Sequence, residues 1–165
     1  MKIRQVRILA LVFLSFLGSG CTEKRLDFCR LLSVSEVQEL DREVVSNEIG
    51  ERGDVGRARY CIYKDVDGEE VFLLSIGNPT KHLPYEILQT YVPFMDGENE
   101  VEIVDGVGNA AAALFSDDYE KDKFRILIAN DDKWSVTVRA LGVSNKNSTE
   151  FRKVKELANR ALSRF

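Results

Sequence analysis

The sequence predicts an α+β fold with a mostly antiparallel sheet of five to six strands and two to three helices packed on one face. Two pairs of strand-like segments flank short turns: residues 60–63 with 71–76, and residues 124–129 with 134–140. In the last of these segments apolar and polar side chains alternate, which is typical of a sheet with one covered and one solvated face. Segments with helical spacing precede, separate and follow the strands, and we expect them to pack on the sheet as a second layer.

The first half of the domain is predicted to begin with a helix. Residues 33–36 have the Ser-x-x-Glu form of a capping box, and the apolar spacing that follows predicts a helix over residues 33–45. Residues 46–56 contain three glycines and predict a loop. Asp67-Gly68, between the first two strand-like segments, is a strong hairpin signal.

The second half is predicted to alternate helix and strands. Residues 84–94 have a helical apolar face, with proline in the first turn. Strands over residues 100–104 and 111–115 flank a tight glycine loop over residues 105–109. The last helix begins near Asn147, and its apolar stripe consists of Phe151, Val154, Ala158, Ala161, Leu162 and Phe165.

Residues 1–20 have the plan of an export leader: a basic start, a short apolar core and small residues before Cys21. An apolar core of about ten residues is too short to span a bilayer of roughly 30 Å as a helix. The small residues followed by Cys21 resemble the lipobox of bacterial lipoproteins, whose cysteine is diacylated and becomes the mature N-terminus. The alternative is an ordinary secretory leader cut near Gly20. We expect an exported chain that is anchored through lipid on Cys21 to a bacterial membrane, either the outer membrane facing the periplasm or the outer leaflet of the cytoplasmic membrane.

The predicted organisation is a signal peptide over residues 1–20, a short lipidated tether over residues 21–28 and a single disulfide-bonded domain over residues 29–165. Once Cys21 is assigned to the lipid, Cys29 and Cys61 remain. In an oxidising compartment such an isolated pair indicates a structural disulfide. The alternative is a redox pair, for which the sequence offers no C-x-x-C motif.

The mature chain is acidic. The leader contains three of the 23 Lys and Arg residues and none of the 27 Asp and Glu residues, so the mature chain has a net charge of −7. Nucleic-acid binding requires a clustered basic face, which argues against a nucleic-acid partner. The membrane contact would come from the acyl chains on Cys21. The remaining partner is predicted to be an unknown envelope protein or a small ligand.

Several motifs occur in the order found in a known group of proteins. Residues 29–37 resemble a "C-x-L-L-[ST]…E-V" opening, residues 61–63 a "C-x-Y" motif, and residues 106–111 a "G-[VL]-G-x-x-A" turn. Together with Leu157-Ala158, this set is similar to a family of exported lipoproteins of unknown function from actinobacteria. The resemblance implies a disulfide between Cys29 and Cys61 and an α+β fold akin to the PsbP-like layer structure. It implies no biochemical activity and no catalytic residue.

The motifs that could carry chemistry each have a simpler interpretation. Residues 106–111 also match the G-x-G-x-x-A dinucleotide fingerprint, which requires a parallel βαβ unit, whereas a glycine turn requires only positive φ. Asp65, Asp67 and Glu69 suggest a calcium loop or a solvated hairpin tip. His82 is the single histidine, in a loop segment without a G-x-S-x-G motif elsewhere in the mature chain. We therefore predict no catalytic residue, no metal site and no cofactor.

The candidate binding residues are aromatic. Tyr60, Tyr63, Tyr85 and Tyr91, with Phe94, are either core residues or members of an exposed binding patch. The function predicted from these features is a non-catalytic binding or interaction lipoprotein of the cell envelope. The alternatives are an envelope immunity or inhibitor protein, for which the acidity is suitable, and a hydrolase acting on envelope material, which would require a deep pocket with convergent acids.

Overall fold

The computed structural model describes residues 27–40, 43–52, 58–78, 82–94, 99–116, 124–143 and 145–165. The predicted leader, Cys21 and the tether up to residue 26 lie outside the described residues. The described chain has an α+β fold, as predicted, with a seven-stranded antiparallel sheet and three α-helices. The sheet is open, with one edge strand at each side.

The seven strands form two meanders that meet at one central pairing. Their spatial order is β1-β2-β3-β7-β6-β5-β4, and β3 pairs with β7 in the middle of the sheet. All neighbouring strands are antiparallel. The strands are β1 (Ser46–Arg52), β2 (Ala58–Lys64), β3 (Glu70–Gly77), β4 (Asn99–Ile103), β5 (Ala110–Ser116), β6 (Phe124–Asn130) and β7 (Ser135–Leu141).

The strand that the sequence did not predict is β1, which lies in the segment expected to be a loop. Gly50 of β1 pairs with Tyr60 of β2, and the Tyr60 ring lies where a Cβ on residue 50 would be. Only glycine leaves room for that ring, so the glycine that indicated a loop is a strand residue in contact with an aromatic side chain. The expected count of five to six strands becomes seven for this reason.

The helices lie on both faces of the sheet, which differs from the expected arrangement on one face. Helices α1 (Val34–Gln38) and α3 (Thr149–Ser163) contribute to the larger apolar core on one face, with Val37 and Leu157 fully buried. Helix α2 (Pro84–Gln89) lies on the opposite face, where Leu88 packs against Ala112 and Leu114. The faces are assigned by parity, because Ala111 and Ala113 belong to the first core and Ala112 and Leu114 to the second.

Two predicted helices are shorter in the structure than in the sequence pattern. The Ser33–Glu36 capping box forms as predicted, and α1 ends at Gln38 instead of residue 45. Helix α2 ends at Gln89 and is followed by a 3₁₀ turn over Val92–Phe94. Pro93 has no N–H to donate to the Gln89 carbonyl, so the α-helical hydrogen bonds cannot continue through residue 93 and the predicted helix 84–94 breaks.

The disulfide joins the start of the domain to the sheet core. Cys29 lies in a 3₁₀ turn (Phe28–Arg30), Cys61 is fully buried on β2, and their Cα atoms are 5.1 Å apart. The predicted Cys29–Cys61 pairing is therefore present. None of the helices in the described part is long and apolar enough to cross a membrane.

Candidate functional site

A shallow groove lies between the start of α2 and the turn that joins β4 to β5. Residues 83–85 form one wall, residues 103–111 form the other, and the enclosed volume is about 250 Å³. The α2 wall stands on the sheet face that carries Leu114 and Ala112. We call this feature the Tyr85 groove, after the predicted binding residue that lines it.

The walls of the Tyr85 groove expose apolar side chains. Ile103 is 73% exposed, Leu83 59% and Tyr85 38%. A single exposed apolar side chain is ordinary on a protein surface, but three around one concave surface are typical of a binding site. The Tyr85 hydroxyl accepts a hydrogen bond of 3.1 Å from Gln89 Nε2, one helical turn further along α2. This bond orients the ring beside the groove.

The glycine turn is held in place by the Asn159 side chain of α3 and by a backbone hydrogen bond to β6. Gly106 and Gly108 have φ values of +80° and +55°, which glycine adopts without strain. Asn159 of α3 accepts a hydrogen bond from the Gly108 N–H at 3.2 Å and donates one to the Gly106 carbonyl at 2.7 Å. The Asn109 N–H donates to the Asn130 carbonyl at 2.7 Å. One wall of the groove is thus fixed before any ligand binds.

Asp105 is the charged side chain among the residues that line the Tyr85 groove. Asp105 is exposed in the glycine turn, and it forms no hydrogen bond or ion pair with the described part of the chain. Glu86, next to Tyr85, accepts a hydrogen bond of 3.2 Å from the Leu83 N–H and so caps α2. Among the groove-lining residues none is Lys, Arg or His. The groove therefore offers apolar contacts together with carboxylate and backbone hydrogen-bonding groups.

The four predicted tyrosines do not form one patch. Tyr63 is fully buried on β2, and its hydroxyl donates a hydrogen bond of 2.7 Å to the Leu32 carbonyl. Burial raises the pKa of this hydroxyl. Tyr60 is half-buried on β2, near the sheet edge that lies away from the groove. Tyr91 is 50% exposed but does not line the groove. Tyr85 is the member of the set that lines the groove; Phe94 lies in the 3₁₀ turn after α2.

The glycine motif is a turn between antiparallel strands. Residues 106–109 join β4 to β5, and no helix follows them. This geometry lacks the strand-to-helix junction on which a dinucleotide pyrophosphate would lie, so the nucleotide alternative is wrong.

The hairpin tip and the histidine also have their simpler interpretations. Asp65 Oδ1 accepts hydrogen bonds from the N–H groups of Asp67 and Glu69 at 3.0 Å and 2.9 Å, as in a solvated turn. His82 is exposed at the start of α2, and its Nδ1 lies 3.7 Å from Glu86 Oε2. In the described ranges no group of three or more His, Cys, Asp or Glu side chains is arranged to hold a metal ion.

Sequence reasoning missed Leu83 and Ile103, because a lone aliphatic residue beside a proline or in a strand carries no signal of exposure. A charge signal was nevertheless available in the same region. Residues 82–120 contain nine Asp and Glu residues and no Lys or Arg. This acidic stretch includes α2, β4, β5 and both walls of the groove.

The residues that line the groove combine exposed apolar side chains with one carboxylate. Hydrolysis of a glycosidic bond needs two opposed carboxyl groups, and the lining residues provide one, Asp105. Exposed apolar side chains beside a rigid turn can instead bind an apolar group of a ligand.

No match was found when the chain was compared with models of protein families, with curated proteins and with solved structures.

Proposed function

We propose that the protein is a non-catalytic binding module of the bacterial cell envelope that recognises its partner through the Tyr85 groove. The proposal includes export and a lipid anchor on Cys21, as the leader predicts. The observation that carries the proposal is the meeting of Leu83, Tyr85 and Ile103, all exposed, around one concave surface. Burying such side chains against a partner contributes about 25 cal/mol per Å² of apolar surface.

The position of the groove supports this function. The disulfide ties the start of the domain to β2, and β4 lies five strand positions away. At a spacing of about 4.8 Å per strand, that is roughly 24 Å across the sheet. The α2 wall also lies on the face opposite Cys61. A domain tethered near residue 29 would therefore present the groove away from its anchor.

Site-specific photo-cross-linking in living cells tests the proposal. A photoreactive phenylalanine analogue placed at position 85 lies in the groove, and the same analogue at position 91 is a matched control, since Tyr91 is exposed and outside the groove. We expect one discrete adduct from position 85 and from position 103, and none from position 91. Equal adducts at positions 85 and 91, or none at position 85, would contradict the proposal.

A companion experiment addresses the anchor. Metabolic labelling with a fatty-acid analogue should tag the wild-type protein and leave a Cys21→Ser variant untagged. The adduct at position 85 should be compared in both forms. An adduct only in the lipidated form indicates a partner at the same membrane, whereas an adduct in both forms indicates recognition by the domain alone.

A further inference from the structure

The Tyr85 groove continues into an open sheet edge at β4. Val104 N–H donates to the Ala111 carbonyl at 3.0 Å, so residue 104 is in a hydrogen-bonded pair with residue 111. In an antiparallel ladder such pairs alternate, and the backbone groups of Glu100 and Glu102 therefore also point toward β5. Those of Val101 and Ile103 point outward, where the described part of the chain gives them no hydrogen-bond partner.

Side chains along this edge are sorted by face. Val101 and Ile103 lie on the α2 face, and Ile103 projects beside Leu83 and Tyr85. Glu100 and Glu102 alternate with them and lie on the opposite face. The Glu102 carboxylate pairs with Lys146 at 2.7 Å, and this contact raises the pKa of the lysine. The edge thus offers apolar side chains on one face and, on the other, the exposed Glu100 carboxylate beside the Glu102–Lys146 ion pair.

A second copy of this chain is a poor occupant of the edge. Pairing two β4 strands antiparallel would bring Glu100 and Glu102 of each copy against those of the other, and like charges opposite each other are destabilising. Charged side chains on an edge strand are a common device against such self-pairing. Charge complementarity instead favours a cationic occupant, since Glu100 and Asp105 are exposed carboxylates at this edge and form no ion pair within the described residues.

We infer that an extended segment of a cationic partner protein adds to β4 as an eighth, antiparallel strand. This inference rests on the proposed function and names its partner class. The segment alternates apolar with Lys or Arg residues: its apolar side chains enter the Tyr85 groove beside Ile103, and its basic side chain opposite Glu100 meets that carboxylate, while Glu102 stays paired with Lys146. Strand addition supplies backbone hydrogen bonds for affinity, and the alternate side chains supply specificity.

Fluorescence anisotropy with synthetic peptides tests this inference on the purified, oxidised protein. The probe is a labelled peptide of alternating valine and lysine, and its control has the same composition with the valines and lysines in separate blocks. We expect saturable binding of the alternating peptide, weakened by salt, and binding of the block peptide that is weaker by about tenfold. Equal affinity of the two peptides would overturn the strand model, because charge alone would then explain the binding.

Backbone methylation of the peptide tests the hydrogen bonds without changing the protein. In an antiparallel addition the valine N–H groups face β4, since they are paired with Val101 and Ile103. N-methylation at the valines should abolish binding, whereas N-methylation at the lysines should leave it within about twofold, because those N–H groups face solvent. The reverse result, or equal effects of the two sets, would overturn the proposed pairing.

Protein variants provide the matching evidence. Ile103→Pro removes an outward N–H and leaves the β4–β5 hydrogen bonds in place, so it should weaken binding more than Ile103→Ala, which retains the N–H. Glu100→Gln should weaken binding and its salt dependence, whereas Glu69→Gln at the exposed β2–β3 tip should not. Unchanged affinity in the Ile103→Pro and Glu100→Gln variants would refute this inference. Adducts at position 85 in cells, combined with no peptide binding, would leave the proposed function standing and refute the strand addition alone.

Discussion

The side-chain amide of Asn159 bonds to both ends of the glycine turn, accepting from the Gly108 N–H at 3.2 Å and donating to the Gly106 carbonyl at 2.7 Å. Asn159 belongs to α3, which packs on the sheet face opposite α2. One side chain therefore connects the C-terminal helix to a wall of the Tyr85 groove.

Replacing Asn159 with alanine should loosen the turn. The loss of two hydrogen bonds at a partly solvated site should lower the free energy of unfolding by about 1–2 kcal/mol. We expect faster amide hydrogen exchange at residues 106–109, measured by mass spectrometry. Asn147→Ala, an exposed asparagine before α3, is the control. Unaltered exchange at residues 106–109 in Asn159→Ala would show that the amide does not hold the turn.

Replacing Gly108 with alanine should destabilise the domain through two effects. Residue 108 has a φ of +55°, and a Cβ there would overlap the Asn130 carbonyl oxygen. Gly68→Ala separates the effects, because Gly68 has a φ of +81° and open space around it. We expect a loss of about 1 kcal/mol for Gly68→Ala and clearly more for Gly108→Ala in urea denaturation. Equal losses would mean that the contact with Asn130 relaxes freely.

Replacing Tyr63 with phenylalanine should cost stability and leave binding unaffected. The Tyr63 hydroxyl is the hydrogen-bond donor to the Leu32 carbonyl within the core, and its removal leaves that carbonyl unpaired. We expect a loss of about 1–3 kcal/mol in the free energy of unfolding. Tyr91→Phe, at an exposed position, should have no measurable effect. A loss of partner binding by folded Tyr63→Phe would contradict its placement in the core.

Glu36 should make the stability depend on pH at the acidic end. The hydrogen bond from the Arg164 guanidinium, at 2.7 Å and 2.8 Å to the two carboxylate oxygens, is the main reason that the pKa of Glu36 falls from 4.5 to about 2. A carboxyl with a lowered pKa in the folded state stabilises fully above its unfolded value, and this stabilisation is lost as the pH falls through the folded value. The stabilisation from Glu36 is therefore lost as the pH falls from about 4.5 to about 2.

Glu36→Gln should flatten the pH dependence in that window. The measurement is the urea midpoint as a function of pH for wild type and variant. Glu69→Gln, at the exposed hairpin tip, is the control and should reproduce the wild-type slope. A Glu36→Gln variant with the full wild-type slope would show that the contact with Arg164 does not stabilise the fold.

Breaking the disulfide should lower stability substantially. The bond joins residues separated by 32 positions, and closing a loop of this size contributes about 3–4 kcal/mol in the chain-entropy model. A Cys29→Ser, Cys61→Ser double variant should show this loss in urea denaturation, and reduced wild type should match it. A double variant as stable as the oxidised wild type would refute a structural role for the bond.

Periodicity and turn residues predicted most of the fold. The alternation in β7, the Asp67-Gly68 hairpin and the apolar stripe of α3 are local patterns, and local geometry decides them. The sequence does not reveal that Gly50 is a strand residue, because its neighbour Tyr60 is ten residues away and the contact that makes glycine necessary forms only when the strands pair. The placement of α2 on the far face depends on the crossover from β3 to β4, which no local pattern encodes.

Of the residues that line the candidate site, the sequence indicates Tyr85. Aromatic character indicates Tyr85 and Tyr63 equally, because sequence alone does not separate a buried tyrosine with a hydroxyl partner from an exposed one. The burial difference depends on face: Tyr63 points into the larger core, and Tyr85 follows the buried Pro84 at the start of α2. Ile103 becomes a site residue only because β4 is an edge strand.

The central pairing of β3 with β7 is the strand pairing that joins the most distant parts of the chain. Its partners, such as Phe72 and Ala140, are far apart in sequence, whereas every other strand pairing joins neighbours along the chain. Cys29 and Cys61 both precede β3, so the disulfide belongs wholly to the N-terminal meander. If the chain is exported as we propose, N-terminus first through a translocation channel, both thiols leave the channel before β7 does. We expect the Cys29–Cys61 disulfide to form before β3 pairs with β7, because that pairing needs the C-terminal part of the chain.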